Sequence, residues 1–301
     1  MQPLISKIWR QRSTKAAAGY LFMAPAILIV SVFLLLPIVF AVVLAFQKIQ
    51  LLGEISFRFV GLKNFVRIIE DERVWIALKN TAQYAVIVVP LQTVLGLTLA
   101  LLLNSQVRGR SWFRVAFFLP AVTSSAVLTL IFLWIYNSNG LLNSALSFLH
   151  LPTYNWLGDP AVALKGIMIM NIWSTAPFFM VIYLAALQDV PESLYEAATL
   201  DGASQGGKFW YITLPFLQPV TFFVIVIGII GTFQLFDQSY IFSAGSGGPN
   251  DSTLTIVLLI YQYAFKSLDM GYALALTLLL AGVLITTTIV QRHLFREESI
   301  D

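Results

Sequence analysis

The chain has no cysteine and only two histidines among its 301 residues. Disulfides and thiolate metal centres are thereby excluded, and too few imidazoles remain for a catalytic zinc cluster. Charge is scarce as well: Asp, Glu, Lys and Arg make up 11%, against 58% hydrophobic residues, and the mean hydropathy is +0.81. So little polar surface cannot cover a water-soluble globule, and the chain is read as an integral membrane protein. The net charge of +3 is small and fits Lys and Arg that flank membrane spans better than a nucleic-acid surface.

Six apolar runs of about bilayer-spanning length follow one another. They extend from Tyr20 to Phe46, Lys79 to Leu103, Phe113 to Tyr136, Ala163 to Leu187, Phe216 to Phe242 and Tyr272 to Gln291. They predict an all-α fold of six transmembrane helices within residues 20–292. A removable signal peptide is the competing reading of the first run. Its apolar part would be only about 7 to 15 residues long, and no small-residue cleavage site lies near Phe46. Pro25 and Pro37 predict kinks or ends within this run.

An even number of spans puts both termini on one side. Lys7, Arg10, Arg12 and Lys15 in segment 1–19, Arg108 and Arg110 in a short connection, and Arg292 and Arg296 near the tail 293–301 mark that side as cytoplasmic. The opposite connection, Asn137 to Val162, contains no Lys or Arg. The outer segment Gln47 to Leu78 is less decisive, because Glu54, Glu70, Asp71 and Glu72 nearly balance its basic residues. Within it, Lys63 to Trp75 has apolar residues at helical spacing and predicts a short helix at the outer surface.

Between the fourth and fifth runs lies a polar interval, 188–215, whose centre reads EAATLDGASQGGKFWYITLP. Pro191 and Glu192 fit a helix start, Gly202 a break, and Lys208 to Leu214 a second short helix ended by Pro215. Two short helices joined by a turn make a knob suited to a groove on a partner; an interfacial loop without a partner is the plainer reading. The stretch Gly202 to Lys208 imitates the start of a phosphate-binding loop. Phe209 stands where a magnesium-binding hydroxyl would be needed and no strand precedes, so nucleotide chemistry is assigned to another polypeptide.

Glu196-Ala197-Ala198, then Gly202, Ile212 and Leu214-Pro215, resemble the EAA signature of the membrane subunits of ATP-binding-cassette importers. YLFMAPAILIV in the first run, FVGLKNF, FFLPAV and SGGPNDSTLT extend the resemblance, over essentially the whole chain, to carbohydrate-importer permeases of the maltose and glycerol-phosphate type. The resemblance implies a type I importer transmembrane domain with no enzymatic activity or cofactor of its own. It also implies a second homologous permease, two ATPase subunits that bind ATP and Mg, and an extracytoplasmic solute-binding protein. Glu196, Ala197, Ala198, Asp201 and Gly202 would then form the contact with one ATPase.

Polar side chains inside the spans are costly and, where they face a cavity, functional. Phe233, Gln234 and Asp237 stand at spacings that put them on one face of a continuous fifth helix. Asn171, Thr175 and Phe178 make a similar stripe on the fourth, at a comparable depth, roughly 6 to 8 Å outward of the span centre. Amides, a carboxylate and aromatics at one level suit a sugar, whose hydroxyls need polar partners and whose ring faces stack. The resemblance implies that these positions line the substrate cavity and adds Ser125. Interhelical hydrogen bonding is the alternative, and Thr123, Ser124 and Ser125 also fit hydroxyls that satisfy helix backbone.

Two other functions compete. An ion-coupled secondary transporter would carry several intramembrane acids or paired broken helices, and only Asp237 is available. An intramembrane enzyme needs a converging nucleophile and base, which the spans lack. Between a sugar, a glycoside osmolyte and glycerol phosphate the residues do not choose.

Overall fold

The computed structural model describes residues 20–50, 54–105 and 109–296. The basic residues Lys7, Arg10, Arg12, Lys15 and Arg108 lie outside them. Among the described residues, five helices are long and apolar enough to cross a membrane, and a pair of helices bent by 96° makes a sixth span when taken together. The six predicted runs all correspond to helices, but two of the spans are broken.

The first span, Tyr20–Ala45, presents no buried face in its most apolar window. Neither proline ends it. A π turn at Ser31–Leu35 precedes Pro37 and absorbs the hydrogen bond that a proline cannot make. The all-helical expectation then needs one addition. Gln47–Gln50 and Ser56–Phe59 form an antiparallel hairpin, β1 and β2, pairing Gln47 with Phe59 and Gln50 with Ser56. The outer helix is shorter than predicted, Lys63–Glu70, because Asp71 takes an extended conformation and caps the second span by accepting the Arg73 N–H at 3.0 Å. The second span therefore begins at Glu72, seven residues before Lys79, and reaches Asn104.

The second span packs along the fourth, Ala163–Gln188. Lipid tails are as apolar as leucine, so nothing analogous to water expulsion drives this pairing, and close backbone approach must. Gly96 provides it: a Cβ there would lie 2.9 Å from the Phe179 Cβ and 3.0 Å from the Ala176 carbonyl. Around this seam Ala100, Leu103, Met180, Tyr183, Leu184 and Val224 form one buried cluster. A second, at the other end, joins Val74 and Ala77 to Leu254, Ile256, Leu258, Tyr272 and Leu276.

The third span consists of Arg110–Val122 and Ser125–Ile135, separated by extended backbone at Thr123 and Ser124. Pro120 lies three residues before the break, and the Thr123 hydroxyl donates to the Leu119 carbonyl at 2.9 Å, satisfying part of the exposed helix end. The fifth span is Gln218–Phe233 and Asp237–Phe242, with Gln234 to Phe236 unwound between them. A further apolar helix, Ile256–Lys266, precedes the sixth span, Met270–Arg296.

Candidate functional sites

The two broken spans meet. Their gaps, together with the fourth span, border an open polar cavity of about 190 Å³ lined by Ser125, Asn171, Gln234, Phe236, Asp237 and Gln238. Beside it a second cavity of about 330 Å³ shares Ser125, Asn171 and Gln238 and adds Thr123, Ser174, Thr175 and Phe178. Six of the seven predicted pathway residues thus converge, and the break explains how. The helix ends at Phe233, so Gln234 and Asp237 reach one cavity because the chain unwinds between them, not because they share a helix face. Phe233 is the exception. It stays on the intact helix and lines a separate groove of about 590 Å³, walled by apolar groups and threonines such as Ala85, Val89, Thr93, Ile225 and Thr287. That groove is larger, but it offers a polyhydroxylated solute almost nothing to bond.

Ser125 is the first residue of its helix, whose first internal bond runs from the Leu128 N–H to the Ser124 carbonyl at 3.0 Å. The amides of the opening turn have no partner within the helix, and the helix dipole makes that end partly positive. The Ser125 hydroxyl is itself buried without a hydrogen bond among the described residues. Asn171 receives one long bond from the Thr175 hydroxyl, 3.4 Å, which leaves its amide N–H groups for the cavity. Asp237 opens the second half of the fifth span, where the dipole favours a carboxylate, and no cation lines either cavity. Gln238, which both cavities share, was missed by the sequence reading; only its place one residue after Asp237 hinted at it.

The polar interval folds as a helical hairpin. Glu192–Leu200 ends in a turn in which the Ala203 N–H bonds the Ala198 carbonyl at 2.9 Å and the Gly202 N–H bonds the Thr199 carbonyl at 3.1 Å. This is a Schellman closure with Gly202 at φ +78°. The second helix differs from expectation: it starts at Gln205, capped by Ser204, and runs through a π turn at Phe209–Thr213 past Pro215 to Phe216. Pro215 is tolerated because it falls in the first turn of the segment after the π turn. Two side-chain bonds brace the hairpin, Tyr195 with Thr213 at 2.8 Å and Lys208 to Thr199 at 2.7 Å. Glu196, Ala197, Asp201 and Gly202 are exposed at its tip, and Ala198 is half-buried. Leu200 is 90% exposed and Tyr211 85%, an apolar surface that nothing among the described residues covers. A helix precedes the imitation phosphate loop and Lys208 is spent on Thr199, so no phosphate cradle forms there.

At the opposite end the charges of the outer segment serve as fasteners. Arg67 pairs with Asp269 at 2.6 Å and lies 3.9 Å over the Tyr272 ring; Arg73 grips Asp251 with two bonds, 2.9 and 3.0 Å. Asp71 accepts from the Tyr263 hydroxyl at 2.5 Å, and burial first and this bond next push Tyr263 up to about 12.

A bundle of six spans, two of them unwound around a polar cavity, with a braced knob at one end, defines a polytopic transport subunit. The chain belongs to the family of binding-protein-dependent transport system inner membrane components, whose model matches residues 92–299. It is 36% identical over 283 residues to the lactose transport system permease protein of Rhizobium radiobacter, covering 93% of this chain and 94% of that one. To the trehalose/maltose transport system permease protein of Thermococcus litoralis it is 35% identical, covering 92% of each. The arabinooligosaccharides transport system permease protein of Bacillus subtilis is 37% identical, with 93% of this chain and 89% of that one covered. The fold matches a chain of a bacterial ABC transporter involved in the import of the acidic polysaccharide alginate, TM-score 0.80 at 22% identity, covering 98% of this chain and 100% of that one. The protein is therefore a non-catalytic, multi-pass permease subunit of the inner membrane that works with a solute-binding protein and other transporter subunits.

Proposed function

We propose that the chain carries an uncharged sugar or oligosaccharide, and that Ser125, Asn171, Thr175, Phe178, Gln234, Gln238 and Asp237 form its half of the pathway. The observation that carries this reading is the meeting of two unwound spans around one polar cavity. Hydroxyl, amide and carboxylate groups are free there, Phe178 and Phe236 offer ring faces, and no cation is present to hold a phosphate or carboxylate. The sugar relatives point the same way. Glycerol phosphate is less well served by this set.

In this reading Glu196, Ala197, Ala198, Asp201 and Gly202 seat in a cleft of an ATPase subunit. That subunit binds ATP and Mg, and its closure moves the hairpin and opens the cavity outward. Both termini are then cytoplasmic, on the side of the hairpin. Because the chain has no cysteine, Leu200→Cys provides a unique label in it: with the permease expressed without its ATPase subunits, a membrane-impermeant maleimide should reach it in inverted vesicles and not in right-side-out ones. For the pathway, Gln234→Ala and Asp237→Ala should abolish solute uptake while the complex still assembles. Unchanged uptake kinetics in both would remove these residues from the pathway.

A further inference from the structure

The loop between the fifth span and the helix Ile256–Lys266 touches the unwound turn directly. Leu235 is buried, and the break deprives its carbonyl of the N–H that a continuous helix would supply; the Thr255 hydroxyl donates to it instead, at 2.8 Å. Two residues earlier the Thr253 carbonyl accepts from the Ser239 hydroxyl on the far side of the break. Thr255 and Ser239 are wholly buried and Thr253 nearly so. The same loop is fastened to the second span along its length. Arg73 holds Asp251, Asn80 donates to the Asp251 and Leu254 carbonyls at 2.8 and 3.0 Å, and the Thr81 hydroxyl accepts the Ile256 N–H at 3.1 Å.

The second span is the partner on which the fourth span packs, and the fourth span carries Asn171. A chain of hydrogen bonds therefore runs from the frame that positions Asn171, through residues 251–256, to the turn that presents Gln234 and Asp237. We infer that this loop is a strap that sets the shape of the cavity, with Thr255 as the positioning residue that keeps the fifth span unwound and thereby tunes which solutes fit. The inference rests on the reading that the cavity binds solute. Without the Thr255 hydroxyl, the Leu235 carbonyl is buried and unpaired, and rewinding the turn becomes the cheapest way to satisfy it.

The test uses the complete transporter reconstituted with its ATPase subunits and binding protein. Amide hydrogen exchange across residues 234–240 should fall about tenfold or more in Thr255→Val, because rewinding gives those amides helix partners, and stay within about twofold of wild type in Thr255→Ser, which keeps the hydroxyl. In competition between labelled maltose and lactose, the uptake ratio should shift by about threefold or more in Thr255→Val only; a mere loss of folded transporter lowers both and leaves the ratio alone. Ser239→Ala removes the other bond and should reproduce both shifts, so the strap can be judged even where Thr255→Val does not assemble. Wild-type exchange and ratio in assembled Thr255→Val or Ser239→Ala would overturn the strap. Gln238→Ala, which alters uptake without abolishing it, separates the two readings: an unaltered ratio there refutes the cavity, whereas an altered ratio with wild-type exchange in Thr255→Val refutes the strap alone.

Discussion

Replacing Gly202 separates two reasons for a glycine at the tip of the hairpin. Its φ of +78° lies in the left-handed region, and a Cβ built there meets nothing within 4 Å among the described residues. Within this subunit the penalty for alanine is therefore conformational, about 1 to 2 kcal/mol. Set against only two bracing side-chain bonds and the Schellman pair, that depletes the braced conformer by a factor of about 5 to 30. Asparagine visits left-handed backbone more readily and should lose less. In proteoliposomes holding the full transporter, solute-stimulated ATP hydrolysis and uptake should rank Gly202, Gly202→Asn, Gly202→Ala from highest to lowest, with Gly202→Asp adding a charge at the same tip. If asparagine proves worse than alanine, bulk against the ATPase and not backbone conformation is what glycine avoids. Full activity in Gly202→Ala would refute both.

Three further outcomes follow from the geometry. Gly96→Ala should lower the thermal midpoint of the purified complex, by an overpacking cost of about 1 to 3 kcal/mol against Phe179 and the Ala176 carbonyl, whereas Gly282→Ala, with nothing within 4 Å, should not; equal midpoints would argue against the close seam. Phe233→Ala should leave the preference between competing sugars unchanged and Gln238→Ala should alter it, measured by dual-label uptake; the reverse pattern would reassign the groove and the cavity. Stability should fall with pH above 10. Tyr263 is raised from 10.0 to about 12, so its contribution is complete below pH 10 and is lost as the pH rises through about 12. Thermal midpoints across that range should slope less steeply in Tyr263→Phe, and an identical slope would dissociate Tyr263 from the outer network.

Much of this protein was legible because lipid simplifies the problem. A span must be apolar for about 20 residues and must satisfy its own backbone, so six runs appear as six runs. The hairpin was legible for a similar reason: Pro191, Gly202 and the polar composition between two spans mark a local motif whose bonds join residues a few positions apart. The breaks were not. TFQLFDQSY has helical periodicity throughout, and what keeps it unwound is the hydroxyl of Thr255, twenty residues away. The face expected for Phe233, Gln234 and Asp237 does not exist, whereas Asn171, Thr175 and Phe178 keep theirs on the intact fourth span; Gln234 and Asp237 still reach the cavity because an unwound turn exposes its polar groups to the same space. Phe233, on the intact side of the break, parted from them.

The amino-acid sequence by itself determined the environment, the number of spans, the family and the knob, because each depends on composition or on local spacing. The tertiary structure alone decided where the third and fifth spans come apart, which polar groups share a cavity, and that the outer charges fasten one loop to another. Those outcomes depend on hydrogen bonds between residues far apart in the chain. Arg73 with Asp251 and Thr81 with Ile256 join the second span to the loop, Thr255 joins the loop to Leu235, and no local pattern announces them.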